Sequence, residues 1–443
     1  MIPGSERRAW KGGDNWELSR TAHMKIEVQT LLSEYEEIVK TFTDNNEATI
    51  PLCAAEPIVS DLVESALSSQ FSTRYIKSAI NSFDPSQEFI GSQYIYPLYQ
   101  LISKICRKLY DAEYADPRPL SGMNAAISTL MALTDAGDKV LLLHPDAGGH
   151  ESFPEICKRL SLNVDDVPFD YLTVEYDIQK INTLLASNEY RAIIIPPSDL
   201  IAPPPIAQLE VPNDVIVLYD CTQSFGFIAA GIHPNPLQSG KKVVLLGGTH
   251  KTIAGPTCGL VLCNDTRLAA VLEGQITPVY VRNPHPHHIA SLTLALIEFI
   301  ETGSSFMSRI LDNANILGKL LEERGFSVIK TAPPPTAYTL THQILLSLDF
   351  ATMERIEKNA RRLNISLDTK NKKIYGKAGI RLGLQAVTRL GWKQADLKKL
   401  ADLLAMMRQG LTVNELVPLA NELRGKDSVM FTIRSSEHGF QDI

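Results

Sequence analysis

Only six cysteines occur in 443 residues (Cys53, Cys106, Cys157, Cys221, Cys258 and Cys263), and no two have C-x-x-C spacing. Scattered through so long a chain, they predict reduced, mostly buried thiols and a cytoplasmic setting rather than a disulfide framework. Dense basic runs are missing too. The 43 Lys and Arg stand against 50 Asp and Glu, a net charge of −7, which excludes an electrostatic footprint for nucleic acid. No stretch is expected to supply the ~20 apolar residues of a membrane span. The opening MIPGSERRAWKGGDNWELSR has no apolar core after its charges, so it reads as a leader and not as a signal peptide. What remains is 44% apolar and 21% charged, the composition of a folded, enzyme-sized chain with room for two or three domains.

The texture changes along the chain. A helical pattern from His23 to about Thr43 is followed by apolar spacing of the i, i+3, i+4 kind at 58–70 and 94–109, the latter through Leu98, Leu101, Ile102 and Ile105. The first hundred residues are therefore expected to be mainly helical. From Ser121 onward, helical segments alternate with uninterrupted apolar runs: VLLL (140–143), AIII (192–195), VIVLY (215–219), VVLL (243–246) and GLVLC (259–263). Such runs suit strands buried on both faces, so the fold class is α/β, with a mostly parallel central sheet sandwiched by helices. Helices at about 288–303 and 308–324 lead into a smaller α+β region with strands near 327–330, 342–348 and 379–383 and helices near 352–363, 394–409 and 413–422. The Pro-rich stretch Thr331 to Thr336 is a loop within it. The expected division is a leader and helix over 1–45, a large domain over 46–305 and a small domain over 306–443.

Four segments carry chemistry. In GGTHKTIAGPTCGLVLC, Lys251 lies between two core strands, where desolvation lowers an amine's pKa and prepares it for Schiff-base formation. An ordinary loop lysine fits the same segment. Asp220 ends the strand VIVLY, at the edge where open α/β sheets bind ligands; a turn or N-cap aspartate fits equally well. Ser121 and Gly122 precede a small-residue helix whose free N–H groups would seat a phosphate, though a plain N-cap has the same sequence. In HPDAGGHES the glycines allow close backbone approach, and His150 could lie against a flat ring or simply pack. The three histidines of RNPHPHHIAS (His285, His287, His288) sit among prolines without a carboxylate or cysteine cluster, so no metal is expected there.

Taken in order, these segments resemble the serine hydroxymethyltransferase branch of the fold-type I pyridoxal-phosphate enzymes, related to aspartate aminotransferase. The likeness runs over roughly 45–410. It is strongest in YDAEYADPRPLSG, DAGDKVLLLHPDAGGH, LYDCTQSFGFIAAGIHPNPL, GGTHKTIAGPTCGLVL and GIRLGLQAVTRLGW. It implies pyridoxal 5'-phosphate as cofactor, joined to Lys251 as a Schiff base, with Asp220 on the pyridinium nitrogen and His150 stacked on the ring. It further implies a phosphate cradle begun by Ser121, Gly122 and Met123 and helped by Thr249 and His250. The resemblance likewise implies that Ser198 would reach the phenolic oxygen and that Gln223 would be a cofactor contact, standing where the family has histidine. By the same resemblance Arg381 of GIRLG would grip the substrate carboxylate, a task suited to its planar fork, and Glu56 of LCAAEP would be a further substrate contact. Asn283 and His288 would reach a neighbouring subunit, since the family's active sites lie between the subunits of a homodimer.

Departures from the family pattern bear on the reaction. Ungapped matching puts Phe71 and Thr73 where the family has a tyrosine and its proton-handling glutamate, and Phe89 in place of one of a tyrosine pair. The expected reaction is therefore folate-independent, aldol-type cleavage or formation of the Cα–Cβ bond of a small amino acid, with an aldehyde as possible co-substrate. Transamination, racemisation, decarboxylation, elimination, a true hydroxymethyltransferase and a non-catalytic scaffold remain the alternatives.

Overall fold

The computed structural model describes residues 14–187, 189–332, 337–425 and 428–433. It divides into two compact units, Met1–Thr49 and Ile50–Ile443. Within the first, α1 (Asp14–Glu47) is one long helix. Its described side chains, from residue 27 on, are almost all exposed, among them Val28, Leu31, Leu32, Tyr35, Ile38, Val39 and Phe42. Their three- and four-residue spacing places them on one face. Residues 1–13 and the Pro-rich core at 333–336 lie outside the described residues.

The second unit is built on a seven-stranded sheet. Its strands are β1 (Tyr114–Asp116), β2 (Lys139–Leu142), β3 (Asn163–Asp166), β4 (Ala192–Ile195), β5 (Ile216–Asp220), β6 (Val243–Gly248) and β7 (Gly259–Cys263). The spatial order is β1-β7-β6-β5-β4-β2-β3. The five strands from β6 to β3 are parallel, and β7 runs antiparallel to β6 and β1. β4 and β5 are buried along their whole length, which is why their sequences read as unbroken apolar runs. The helix α2 (Pro97–Tyr110) begins with Pro at its first position, and α3 (Gly122–Leu133) is capped by Ser121 and packs on β6 and β7.

After α4 (Pro286–Glu323), a four-stranded antiparallel sheet forms from β8 (Ser327–Val328), β9 (Gln343–Leu348), β10 (Asp368–Lys370) and β11 (Ala378–Gly383), in the order β8-β9-β11-β10. α5 (Phe350–Arg362) and α6 (Gln394–Gln409) complete this region, followed by a short helix, Val413–Asn421.

Three expectations change. The two helices expected at 288–303 and 308–324 are a single helix of 38 residues, α4. The Gly303-Ser304-Ser305 stretch reads as a break, but the helix continues because Gly303, Phe306 and Met307 are buried on its packed side. It therefore runs through the 305/306 position without interruption. α4 is also long and apolar enough, by length and composition, to cross a membrane, contrary to the expectation that no such stretch exists, yet 61% of its most apolar window is buried inside the fold. Finally, the helix expected at 58–70 is only Asp61–Ser65 followed by 3-10 turns, and residues 74–91 are turns and short 3-10 segments. The apolar spacing there is interrupted by serines whose hydroxyls bond locally, Ser65 to Leu62 O at 2.8 Å and Ser69 to Ala66 O at 2.6 Å, and Asp84 likewise accepts the Ser86 N–H at 2.9 Å.

Candidate functional site

The parallel strands β4, β5 and β6 all end at one edge of the sheet, where ligands bind in open α/β folds. Asp220 is the last residue of β5 and is buried. Its Oδ1 accepts the Thr222 N–H at 3.0 Å and the Thr222 hydroxyl at 2.5 Å, which leaves Oδ2 without a bond to any described residue.

Just beyond β6, the chain turns through Thr249 to Cys258. Thr249 braces this turn: its N–H donates to Cys258 O at 3.1 Å and its hydroxyl to Pro256 O at 2.9 Å. The hydroxyl hydrogen expected to help a phosphate is thus spent within the turn. Lys251, 9% exposed, projects from it. Burial, then the charge of Arg381, lowers the lysine's pKa to about 8, against the opposing pull of Asp220. The sequence expectation of a desolvated amine acquires a physical cause here.

The start of α3 supplies an anion seat. Ser121 Oγ accepts the Asn124 N–H at 3.1 Å, and Asn124 Oδ1 accepts the Leu120 N–H at 2.8 Å. The N–H groups of Gly122 and Met123 have no acceptor among the described residues, as expected for the first turn of a helix. Gly122 is required: a Cβ there would lie 2.5 Å from the Gly248 nitrogen. The Met123 side chain, lacking a hydroxyl, packs against the core. His250, held neutral by burial with its pKa down to about 4, has a buried Nδ1 without a partner.

His150 follows β2 in a tight Gly148-Gly149 turn. A Cβ on Gly149 would meet Leu143 O at 2.1 Å, so only glycine lets the turn close. His150 Nδ1 accepts the Ser152 N–H at 3.3 Å, so the neutral ring carries its proton on Nε2. Burial, followed by Lys251 and Lys372, keeps its pKa below the usual histidine value although Asp220 opposes them. Gln223 is 1% exposed, yet neither its amide nitrogen nor its amide oxygen has a partner. A buried primary amide costs free energy unless bonded. Orphaned polar atoms on Gln223 and His250, free helix N–H groups and an open carboxylate oxygen are together what a phosphate-bearing aromatic ring needs.

With this geometry in view, comparison with known proteins decides the kinship. The sequence signature described as serine hydroxymethyltransferase matches residues 28–203 and 205–404. This chain belongs to the serine hydroxymethyltransferase family. The family's relatives include the serine hydroxymethyltransferase of Pyrobaculum aerophilum, 29% identical over 392 residues that cover 85% of this chain and 89% of that protein. That of Pyrococcus horikoshii is 30% identical over 390 residues, covering 83% and 89%. The fold is shared with a crystal structure of L-threonine transaldolase from Pseudomonas fluorescens in its internal aldimine state, with a TM-score of 0.84, 20% identity and coverage of 93% and 96%. The fold is thus that of the fold-type I pyridoxal-phosphate enzymes, and pyridoxal phosphate is the cofactor of this serine hydroxymethyltransferase family.

Around Arg381 the structure also gathers residues that the sequence did not single out, Asp368, Asp199, Lys372 and Tyr375. Arg381, in β11, is 4% exposed. Its Nε and Nη2 both donate to Asp368 Oδ2, at 3.0 and 2.6 Å, and its Nη1 donates to Ser198 O at 2.6 Å and Ser198 Oγ at 3.1 Å. Ser198 thus accepts from the arginine and keeps a hydroxyl hydrogen to give. Asp199, fully buried, lies 3.5 Å from Arg381 Nη1 and accepts from Lys372 at 2.7 Å and from the Tyr375 hydroxyl at 2.9 Å. Although burial opposes ionisation, Arg381 and Lys372 hold its carboxyl below the usual carboxylate range.

Glu56 is exposed, with its carboxylate accepting the Ser366 hydroxyl at 2.9 Å. Phe71, Thr73 and Phe89 line an open cleft of about 1140 Å³ whose lining residues include Arg74, Tyr75 and Tyr94 but no Asp or Glu. Glu88, the acid of that segment, is turned onto the Lys77 N–H at 2.9 Å and the Ser78 hydroxyl at 2.7 Å. Asn283 is exposed, and His288 Nδ1 bonds Thr257 O at 2.7 Å.

Proposed function

We propose that this chain breaks or forms the Cα–Cβ bond of a small β-hydroxy amino acid such as threonine or serine, without folate and with an aldehyde as the other product or co-substrate. The observation that carries the reading is that buried Lys251, Asp220 and Arg381 and half-buried His150 lie close enough for their charges to act on one another, Arg381 and Asp220 on Lys251 and both Lys251 and Asp220 on His150. Bound pyridoxal phosphate supplies an electron sink for the pair left on Cα. Asp220, through its unpaired Oδ2, is suited to keep a ring nitrogen protonated. Ser121, Gly122, Met123 and His250 hold the phosphate, while Gln223 satisfies its amide on the cofactor and Ser198 offers its hydroxyl hydrogen. Arg381 receives the substrate carboxylate. Lys251, with a pKa of about 8, takes or returns a proton near neutral pH.

The absence of an acidic side chain from the cleft lined by Phe71, Thr73 and Phe89 supports a folate-independent reaction, and so does the fold shared with a protein described as an L-threonine transaldolase. The relatives named serine hydroxymethyltransferase favour a second reading, transfer from serine to tetrahydrofolate. Incubating the pyridoxal-phosphate-loaded protein with L-threonine, and in parallel with L-serine plus tetrahydrofolate, separates them. Acetaldehyde and glycine from threonine alone supports the aldol reading; turnover of serine only with folate sinks it in favour of the second.

A homodimer in the cytoplasm is part of the same reading. The exposed face of α1, from Val28 to Phe42, supports association, because soluble monomers rarely leave so regular an apolar stripe uncovered.

A further inference from the structure

Arg381 is not an open clamp. A guanidinium has five N–H donors, and a carboxylate is best gripped along the edge formed by Nε and one terminal nitrogen. Here that edge is already held by a single oxygen, Asp368 Oδ2, at 3.0 and 2.6 Å, while Nη1 is held by Ser198 and faces Asp199. The pairing is built into the sheet: Asp368 and Arg381 are directly opposite each other on β10 and β11.

The two aspartates differ in what else holds them. Asp199 is fully buried and tied to Lys372 and Tyr375, so it is a fixed counter-ion. The Asp368 side chain is 24% exposed, and its other oxygen bonds no described residue; besides the arginine, the Cys53 thiol donates to Oδ2 at 3.7 Å. It has water to turn towards, and what it gives up on leaving the arginine is its two bonds to the Nε and Nη2 edge. The Asp368 charge also acts on Lys251, as do those of Arg381 and Asp220.

We propose that Asp368 is a specificity-determining residue: an internal carboxylate that occupies Arg381 when no amino acid is bound and must yield that edge to a substrate's α-carboxylate. Two properties follow, both resting on the reading of Arg381 as the carboxylate's partner. Affinity for every α-amino acid is reduced by the exchange. Once displaced, Asp368 stays beside the bound molecule as a negative group, so the site takes amino acids with neutral or donor-bearing side chains, such as a β-hydroxyl, and rejects those with a second carboxylate.

The test measures dissociation constants of glycine, L-serine and L-aspartate from the change in cofactor absorbance on binding, in the wild-type holoenzyme and in Asp368→Asn and Asp368→Ser. The wild type is expected to hold L-serine at least about 100-fold more tightly than L-aspartate, and Asp368→Asn to bind glycine about 10-fold more tightly, as expected for removing a charged competitor. L-Aspartate should gain more than glycine, and Asp368→Ser should follow Asp368→Asn. Equal wild-type affinity for serine and aspartate would overturn the proposal even if neither variant folded. Unchanged or weaker glycine binding in variants that keep the wild-type melting temperature would do the same. A wild-type protein whose cofactor spectrum answers to no amino acid would instead defeat the reading of the site as an amino-acid enzyme.

Discussion

Lys251 owes its lowered pKa to its surroundings: the turn that carries it is closed by Thr249 and packed between two core strands, so the charged amine is desolvated and repelled by Arg381. Because only the neutral amine attacks a carbonyl, the rate at which apo-protein captures pyridoxal phosphate should rise with pH through an inflection near 8. Stopped-flow absorbance reads it, and an inflection near the ordinary lysine value of about 10.4 would contradict it. Lys251→Ala should abolish turnover while leaving the melting temperature of the apo-protein unchanged or raised. Gln223 offers a complementary measurement. Its two orphaned amide atoms cost the apo-protein about 1–3 kcal/mol, so Gln223→Leu should stabilise the apo-protein in calorimetry yet weaken cofactor binding. Stabilisation without loss of cofactor affinity would mean that the amide faces no ligand. Lys251, Asp220 and His150 were legible in the sequence because each follows a core strand or a glycine turn at the large sheet's edge, and Arg381 through the resemblance of GIRLG to the family's pattern. Asp199, Asp368 and Lys372 were not. They matter only through partners brought by sheet register or by loops far apart in sequence, such as Lys372 on Asp199, 173 positions away. The one local signal was Asp199's position next to Ser198.

At the scale of elements, the phosphate seat and the lysine turn share one backbone contact. Gly122 at the start of α3 touches Gly248 at the end of β6 so closely that a single Cβ would force them apart. Gly122→Ala is therefore expected to weaken pyridoxal-phosphate affinity by at least about 10-fold, a loss of one or two hydrogen bonds to a charged group. Equilibrium dialysis reads the affinity, and circular dichroism shows whether the fold is kept; an unchanged dissociation constant would remove the seat from α3. The strands were readable since AIII and GLVLC coincide with β4 and β7 to the residue, burial on both faces leaving no polar interruption. Helices were less readable. A Gly-Ser-Ser stretch looks like a break in isolation and is overruled in α4 by packing, whereas residues 58–70 look periodic and yield to local hydrogen bonding.

For the molecule as a whole, Glu298 is a knot. This buried residue of α4 pairs with Arg389 and accepts the Ser60 hydroxyl at 2.9 Å, the Thr432 hydroxyl at 2.5 Å and the Ile433 N–H at 3.2 Å. It thereby joins an early segment, the helix after β11 and the last described residues. Glu298→Ala should cost about 3–5 kcal/mol by leaving Arg389 buried and unpaired, and a second change, Arg389→Met, should recover part of it. Urea denaturation measures both, and a cost below about 1 kcal/mol would mean water replaces the carboxylate.

The helix that bears Glu298 has a mechanical consequence as well. At 38 residues, α4 is a rod about 57 Å long that touches the helices beside the large sheet at one end and α6, β8 and β9 at the other. A shaft without a joint between two sheets leaves no hinge within α4 for a clamshell movement, so a swing of one half over the other would have to bend at other connections, whereas a side chain turning away or a loop settling needs no bend in the shaft at all.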